Sequence, residues 1–216
     1  MTRLAGVVQP GRRAEREPAV RSAAPGLLHL AFCGLILLLL EVALHQLYPH
    51  GGHLLAQRRS EVYGGLSLTA LLLVLASRWL RLTLLRRTLG LFAFATAVIH
   101  SHQAFRDVLH SDVQAVLFLS LSHQAAVWLG VVALLGLLPL AVTSSNAAVR
   151  RLGKRWKTLH RLGPPMTLLA VLHTVLLGVH FGVSPLAPAS LALGLGTGAV
   201  FALRRSRRFP RLQVNI

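Results

Sequence analysis

Six apolar stretches run through this chain, and each is long enough to cross a bilayer as a helix. A spanning helix needs about 20 predominantly apolar residues, and inside a bilayer its backbone polar groups must bond within the helix. The stretches cover residues 27–47, 62–80, 89–105, 113–142, 165–183 and 186–203. The sequence therefore predicts an all-α integral membrane protein whose six transmembrane helices form one bundle.

Basic residues lie in four blocks between or beyond these stretches, at residues 3–21, 78–87, 150–161 and 204–211. If six helices cross the membrane, all four blocks fall on one side. Lys and Arg collect on the cytoplasmic side of membrane proteins, so we predict cytoplasmic termini and a multi-pass protein of the cytoplasmic (inner) membrane. The same rule accounts for the net charge of +17 by topology and contact with membrane lipid, so no nucleic-acid partner is expected.

The apolar stretches leave little of the chain for another domain. Residues 1–25 are predicted to form a basic disordered cytoplasmic tail, residues 26–204 the helical bundle, and residues 205–216 a second basic tail. No glycine-rich phosphate loop follows a strand pattern, and the one cysteine, Cys33, cannot hold an iron–sulfur cluster by itself. Any redox role therefore needs another cofactor, and an NAD(P)H-oxidising partner must be a separate polypeptide.

Two histidines lie deep within apolar stretches. At the helical rise, His100 lies about 16 Å from the inner end of the third stretch and His173 about 12 Å from the inner end of the fifth. An ionisable side chain at that depth is costly and marks a functional site by default. Because a haem in a helical bundle takes two axial imidazoles from opposite sides, we predict that His100 and His173 form an axial pair. The alternative is two polar groups that hydrogen-bond across helices.

His160 precedes His173 by 13 residues, or about 20 Å along a continuous helix, a separation that suits a second haem in the same bilayer. Pro164 and Pro165 should break or kink the helix between them, so a helical wheel does not decide whether the two rings share a face. Alternatively, His160 is an interfacial cation that binds lipid phosphate. His180 either lines an outer entrance or sits at the membrane interface.

Two motifs resemble the ferric reductase-like transmembrane family, and in particular its MsrQ-type haem-binding subunits. One motif is Leu152-Gly-Lys-Arg-Trp-Lys-Thr-Leu-His160, followed by His173; the other is Arg86-Arg-Thr-Leu-Gly-Leu, which precedes His100 on the same stretch. Together they cover roughly residues 60–180. The resemblance implies a six-helix fold with cytoplasmic termini, and haem-iron ligand roles for His100, His160 and His173.

The same resemblance implies an electron-transfer subunit of an oxidoreductase system. In this family, b-type haem carries electrons from a quinol or a soluble flavin reductase on the cytoplasmic side to an outer acceptor, here the catalytic subunit of a periplasmic methionine sulfoxide reductase. Some members also bind flavin mononucleotide (FMN). His100 and His173 account for one haem. The wider family has a second histidine 13 or 14 residues from the first on the third helix, so a second haem on His160 has no evident other ligand. The residues at those positions here are Arg86, Arg87, Val113 and Gln114.

Two other functions fit the same pattern. One is a stand-alone ferric-chelate or quinone reductase, with His102, His123 and His180 at the acceptor site. The other is a non-redox transporter or assembly protein whose histidines relay protons or bind a metal. The inner arginines also allow two interpretations: they neutralise haem propionates or dock an anionic flavin, or they set topology and bind anionic lipid. These arginines are Arg86, Arg87, Arg155 and Arg161.

Overall fold

The computed structural model describes residues 24–77, 79–82, 84–178, 195–199 and 202, and these residues form helices and turns without a strand. The α-helices are α1 (Ala24–Leu47), α2 (Gly52–Ala76), α3 (Arg86–Gln103), α4 (Leu121–Val142), α5 (Asn146–Leu152), α6 (Lys154–Leu159) and α7 (Gly163–Gly178). A π-helical turn at Ala104–Val108 extends α3, and 3-10 turns lie at Gln114–Phe118 and His160–Leu162.

The described helices pack as two antiparallel pairs. In the first pair α2 lies along α3, and the hydroxyl of Ser67 donates to the carbonyl of Ala93 at 2.8 Å. In the second pair α4 lies along α7, where Gly136 faces Met166. The pairs meet through contacts of α3 with α4 and of α2 with α7, while α1 lies against α2 and α3. This arrangement brings α3 and α7, which carry the two deep histidines, to the middle of the bundle.

The exposed surface is apolar, as expected of a protein surrounded by lipid. Two described helices, α2 and α4, are long and apolar enough to cross a bilayer, and α1 contains a shorter apolar stretch at Ala31–Leu47. Only 17% of the most apolar window of α4 is buried, so large side chains such as Trp128 and Leu135 face outward. These features are consistent with a helical membrane protein. The predicted sixth span lies largely outside the described residues, as do both basic tails.

Two helices begin at other residues than the apolar stretches do. The fourth stretch, residues 113–142, is long enough to tilt or to begin outside the membrane, and α4 begins only after Ser120, whose backbone is extended. The side-chain amide of Gln124 donates to the carbonyls of Leu117, in the 3-10 turn, and of Leu119, just after it, which satisfies two backbone acceptors that precede α4. Helix α2 begins at Gly52, ten residues before the predicted span. Its polar first turns are stabilised by bonds between side chains three and four residues apart, from Arg58 and Gln57 to Glu61.

The expected interruption between His160 and His173 is present. His160 begins a 3-10 turn, and α7 starts at Gly163 with Pro164 and Pro165 in its first turn. Proline is tolerated there because the first helical N–H groups have no intrahelical acceptor. The two histidines therefore belong to different helical elements.

Candidate functional site

The structure brings His100 and His173 together from different helix pairs. Their ring centres are 6.1 Å apart and the ring planes are inclined by 78°. Two imidazoles bound to one metal from opposite sides place their ring centres about 6 Å apart, because a metal–nitrogen bond is about 2 Å long and a ring nitrogen lies about 1 Å from the ring centre. The spacing of the two rings therefore fits a single iron between them.

Both rings are held in the same way, by a backbone carbonyl of the neighbouring helix. Nδ1 of His100 lies 2.8 Å from the carbonyl oxygen of Ser60 on α2. Nδ1 of His173 lies 2.7 Å from the carbonyl oxygen of Ala126 on α4. A carbonyl can only accept, so in each ring Nδ1 carries the proton and Nε2 keeps its lone pair. Metal-binding histidines characteristically donate their second ring N–H in this manner, so both rings have the tautomer that a metal ligand needs.

An apolar layer lies on the inner side of this pair. The buried residues Ala70, Leu71, Ala93 and Leu137 form its core, and Phe94 and Met166 pack against it. Thr96 is completely buried here, but its hydroxyl donates to the carbonyls of Phe92 and Ala93, so it adds no unsatisfied polar group. The layer separates the histidine pair from the basic end of the bundle.

A large cavity opens at the basic end, between α3, α4 and the α5–α7 segment. Its volume is about 1480 Å³, which exceeds what a single small ligand needs. Four cationic side chains and one imidazole line it together with apolar residues; they are Arg86, Arg87, Lys157, Arg161 and His160. This concentration of positive charge suits an anionic group such as a phosphate or a carboxylate.

His160 lies at this cavity and is bonded differently from the deep pair. Its ring stacks on Trp156 with the ring centres 4.1 Å apart, and its Nε2 lies 3.1 Å from the hydroxyl of Thr143. That hydroxyl donates its one proton to the carbonyl of Pro139, so Nε2 of His160 must be the donor to Thr143. In the described part of the chain, the structure does not bring His160 to the His100–His173 pair.

Burial lowers the pKa of His160 below its usual value, and the positive charge of Arg86 lowers it further. The ring precedes α7 and lies outside the predicted spans. Because both causes disfavour the imidazolium form, His160 is neutral near pH 7. A neutral imidazole can serve as a ligand or a hydrogen-bond donor, and the lowered pKa disfavours the alternative of an interfacial cation.

The other histidines contribute less to the deep site. His102 is exposed, as are His53 and His110, whose rings lie 6.4 Å apart. His29 is half-buried and lines an apolar groove of about 260 Å³ between α1, α2 and α3. His180 lies outside the described residues.

The residues that hold the deep pair were not identified from the sequence. Ser60 and Gly64 are one turn apart on α2, and Ala126 and Gly130 are one turn apart on α4. Small residues four apart on an apolar helix indicate close approach of another helix. This spacing could have marked both places, although it does not reveal that the approaching group is an imidazole.

Comparison with known proteins gives matches over most of the described bundle. The family described as ferric reductase like transmembrane component matches residues 29–171. The haem-binding subunit MsrQ of protein-methionine-sulfoxide reductase from Rhodospirillum rubrum is 40% identical over 124 residues, which is 56% of this chain and 59% of that protein. The MsrQ of Cronobacter sakazakii is 35% identical over 142 residues, or 64% of this chain and 68% of that protein.

A magnetosome protein, MamZ of Magnetospirillum gryphiswaldense, is 34% identical over 114 residues, which is 51% of this chain and 17% of that protein. No solved structure matches the chain significantly. The matched part spans 59% of the Rhodospirillum subunit and two thirds of the Cronobacter one. Because the family match covers well over half of the sequence, the chain belongs to the ferric reductase-like transmembrane family.

Proposed function

We propose that this protein is a haem-binding electron-transfer subunit of the MsrQ type, with His100 and His173 as the two axial ligands of a b-type haem. The observation that carries this proposal is the matched bonding of the two rings. Each donates Nδ1–H to a helix carbonyl, and the rings lie 6.1 Å apart. The names of the MsrQ relatives, which are haem-binding subunits, support the same cofactor.

The residues of the site would fix the ligands before the cofactor binds. The carbonyls of Ser60 and Ala126 select the tautomer in which Nε2 is free, and they hold each ring in one orientation. The apolar layer around Ala93 and Leu137 keeps water from the inner side of the pair. A haem held by two imidazoles supplies reversible one-electron transfer and leaves no open iron position for dioxygen.

The basic cavity is proposed as the entry side for electrons. Its cationic residues lie in the sequence blocks that positive-inside topology assigns to the cytoplasm. Arg86 and Arg161 would bind the anionic groups of a second centre, either the phosphate of FMN or the propionates of a second haem, and His160 would hold or assist that centre. The donor would be a quinol or a reduced flavin protein on this side.

The wider topology belongs to the same proposal. Six spanning helices would place both basic tails, residues 1–25 and 205–216, in the cytoplasm, and the helical domain, residues 26–204, in the inner membrane. The His100–His173 pair would then lie towards the outer leaflet. An outer acceptor would receive the electrons, and the names of the MsrQ relatives make a methionine sulfoxide reductase catalytic subunit the proposed partner.

The test is a reduced-minus-oxidised visible spectrum of the purified protein with a pyridine haemochrome count. We expect a b-type spectrum in the wild type that is lost in His100→Ala and in His173→Ala. His102→Ala is the matched control, because its ring is exposed on the same helix. A wild type that stays colourless after expression with haem supplied, or His→Ala variants with a normal spectrum, would overturn the assignment of the ligands.

A second measurement addresses the acceptor. The dithionite-reduced protein is mixed separately with an MsrQ-type partner, the methionine sulfoxide reductase catalytic subunit, and with ferric citrate. We expect rapid reoxidation by the catalytic subunit and slow reoxidation by the chelate. The opposite ranking would favour a stand-alone ferric-chelate reductase.

A further inference from the structure

We propose that Gly64 and Gly130 are ligand-positioning residues: by lacking side chains, they let the rings of His100 and His173 lie flat enough against α2 and α4 to reach the helix carbonyls. The inference rests on the proposed haem ligands, but it concerns different residues and has its own test.

On α2, the acceptor and the glycine are one turn apart. The carbonyl of Ser60 accepts from Nδ1 of His100 at 2.8 Å, and Gly64 is the next residue up that face. A Cβ at position 64 would lie 3.0 Å from Nδ1, 3.1 Å from Cε1 and 3.4 Å from Cγ of His100. These separations are below a comfortable carbon–carbon contact of about 3.5 Å, so the ring would have to move away from the helix.

The same arrangement recurs on α4, where it is tighter. The carbonyl of Ala126 accepts from Nδ1 of His173 at 2.7 Å, and Gly130 lies one turn further along. A Cβ at position 130 would lie 2.7 Å from Nδ1, 2.8 Å from Cε1 and 3.3 Å from Cγ of His173. Two separate helix pairs thus use one device, an acceptor at one position and a glycine four residues later.

Neither ring can escape the added methyl group cheaply. An imidazole is rigid, and the displaced ring would lose its hydrogen bond to the carbonyl or move towards the other ring, which is already 6.1 Å away. Gly136 provides the contrast. A Cβ there would collide with the side chain of Met166, which is flexible and can adopt another rotamer. The same substitution therefore tests helix packing at Gly136 and ligand placement at Gly64 and Gly130.

The experiment compares Gly64→Ala and Gly130→Ala with Gly65→Ala and Gly34→Ala. The last two positions are also helical glycines, on α2 and α1, and a Cβ at either meets nothing within 4 Å. Three quantities are measured on each purified protein: haem per chain, the low-spin ferric signal in electron paramagnetic resonance, and the midpoint potential. Gly136→Ala is measured alongside as the packing control.

We expect Gly64→Ala and Gly130→Ala to bind haem about 10- to 100-fold more weakly, as is typical when the group that orients a metal ligand is disturbed. The larger loss should be at Gly130, where the contact is closer. The remaining haem should show an altered low-spin signal and a shifted potential, which a purely structural defect would not produce. Gly65→Ala, Gly34→Ala and Gly136→Ala should match the wild type in all three measurements.

The inference is wrong if both alanine variants keep the haem content, spin signal and potential of the wild type while His100→Ala and His173→Ala lose the haem. That pattern would leave the proposed function standing. If the histidine variants also keep their haem, the proposed function itself fails.

If Gly130→Ala does not fold, His173→Gly replaces it. Free imidazole is added to His173→Gly and to the double variant with Gly130→Ala, and haem per chain is counted. An untethered imidazole can tilt away from a methyl group, so we expect equal rescue in both proteins. Rescue of His173→Gly but not of the double variant would show that the methyl group harms more than ligand placement, and would overturn the inference.

Discussion

Ser60 presents two oxygen atoms to Nδ1 of His100: its backbone carbonyl at 2.8 Å and its hydroxyl at 3.2 Å. Ala126, in the equivalent position on the other helix pair, presents only its carbonyl to Nδ1 of His173, at 2.7 Å. The two rings are therefore held alike, except for one hydroxyl group. This difference would make the two proposed ligands chemically unequal, because an additional acceptor for Nδ1–H increases the electron density at Nε2.

Ser60→Ala should raise the midpoint potential of the haem, since removal of the hydroxyl makes His100 a weaker electron donor to ferric iron. The expected rise is about 10 to 40 mV, because a net hydrogen bond is worth about 1 kcal/mol and only part of it differs between the two oxidation states. Redox titration monitored by the visible spectrum measures the change. Ser67→Ala is the control, because its hydroxyl bonds to the carbonyl of Ala93 and not to a histidine. An unchanged or lowered potential in Ser60→Ala would contradict the assigned role.

From the sequence, His100 and His173 could be predicted as candidate ligands, because an imidazole deep in an apolar helix has few explanations, and the structure places their rings 6.1 Å apart. It was not sufficient to identify Ser60 and Gly130 as their supports. Which carbonyl lies opposite a ring depends on the rotation and offset of two helices that are distant in sequence, and periodicity within one helix carries no such information. The start of α4 could not be predicted for a related reason: residues 113–120 are as apolar as the helix that follows, but Gln124 bonds to the carbonyls of Leu117 and Leu119.

Trp156 should stabilise the turn around His160 through its indole N–H as well as its ring. The indole donates to the carbonyl of Thr143 at 2.9 Å, while the ring stacks on His160. Trp156→Phe keeps an aromatic ring but leaves that carbonyl without this donor, so we expect the free energy of unfolding to fall by about 0.5–1.5 kcal/mol. Thermal unfolding in detergent measures it. Trp128→Phe is the control, as that side chain is exposed on α4. If both substitutions lower the stability equally, the hydrogen bond from Trp156 to Thr143 does not stabilise the turn.

The low pKa of His160 predicts that the haem-free protein loses stability in mild acid. Burial, and then the charge of Arg86, lower this pKa from the usual 6.5. The unfolded chain therefore binds a proton at higher pH than the folded protein does. The contribution of His160 is fully present above about pH 6.5 and is lost as the pH falls through the lower pKa of the folded state.

The melting temperature of the haem-free protein is measured at pH 8, 7, 6 and 5, about the range over which histidine titrates. His160→Gln should weaken the decline between pH 7 and 5, whereas His102→Gln, which alters an exposed ring, should not. Arg86→Gln removes the smaller of the two causes, so it should raise the pKa of His160 in the folded protein slightly and weaken the decline slightly. A decline that is identical in His160→Gln and wild type would assign the acid sensitivity to other groups.

The basic cavity should bind FMN through Arg86 and Arg161. Each guanidinium lines the cavity, and a charge-assisted bond to phosphate is among the stronger hydrogen bonds. Replacing either by glutamine should weaken FMN binding about 10- to 150-fold, which corresponds to the roughly 1.5–3 kcal/mol expected for a hydrogen bond to a charged group. Quenching of flavin fluorescence gives the affinity, and raising the salt concentration should weaken FMN binding by the wild type more than by the variants.

Arg106→Gln is the control, because that guanidinium is paired with Asp107 away from the cavity. An FMN affinity that is equal in all four proteins, and insensitive to salt, would exclude these arginines as the phosphate site. The cavity would then be left to the propionates of a second haem. The haemochrome count per chain tests that alternative.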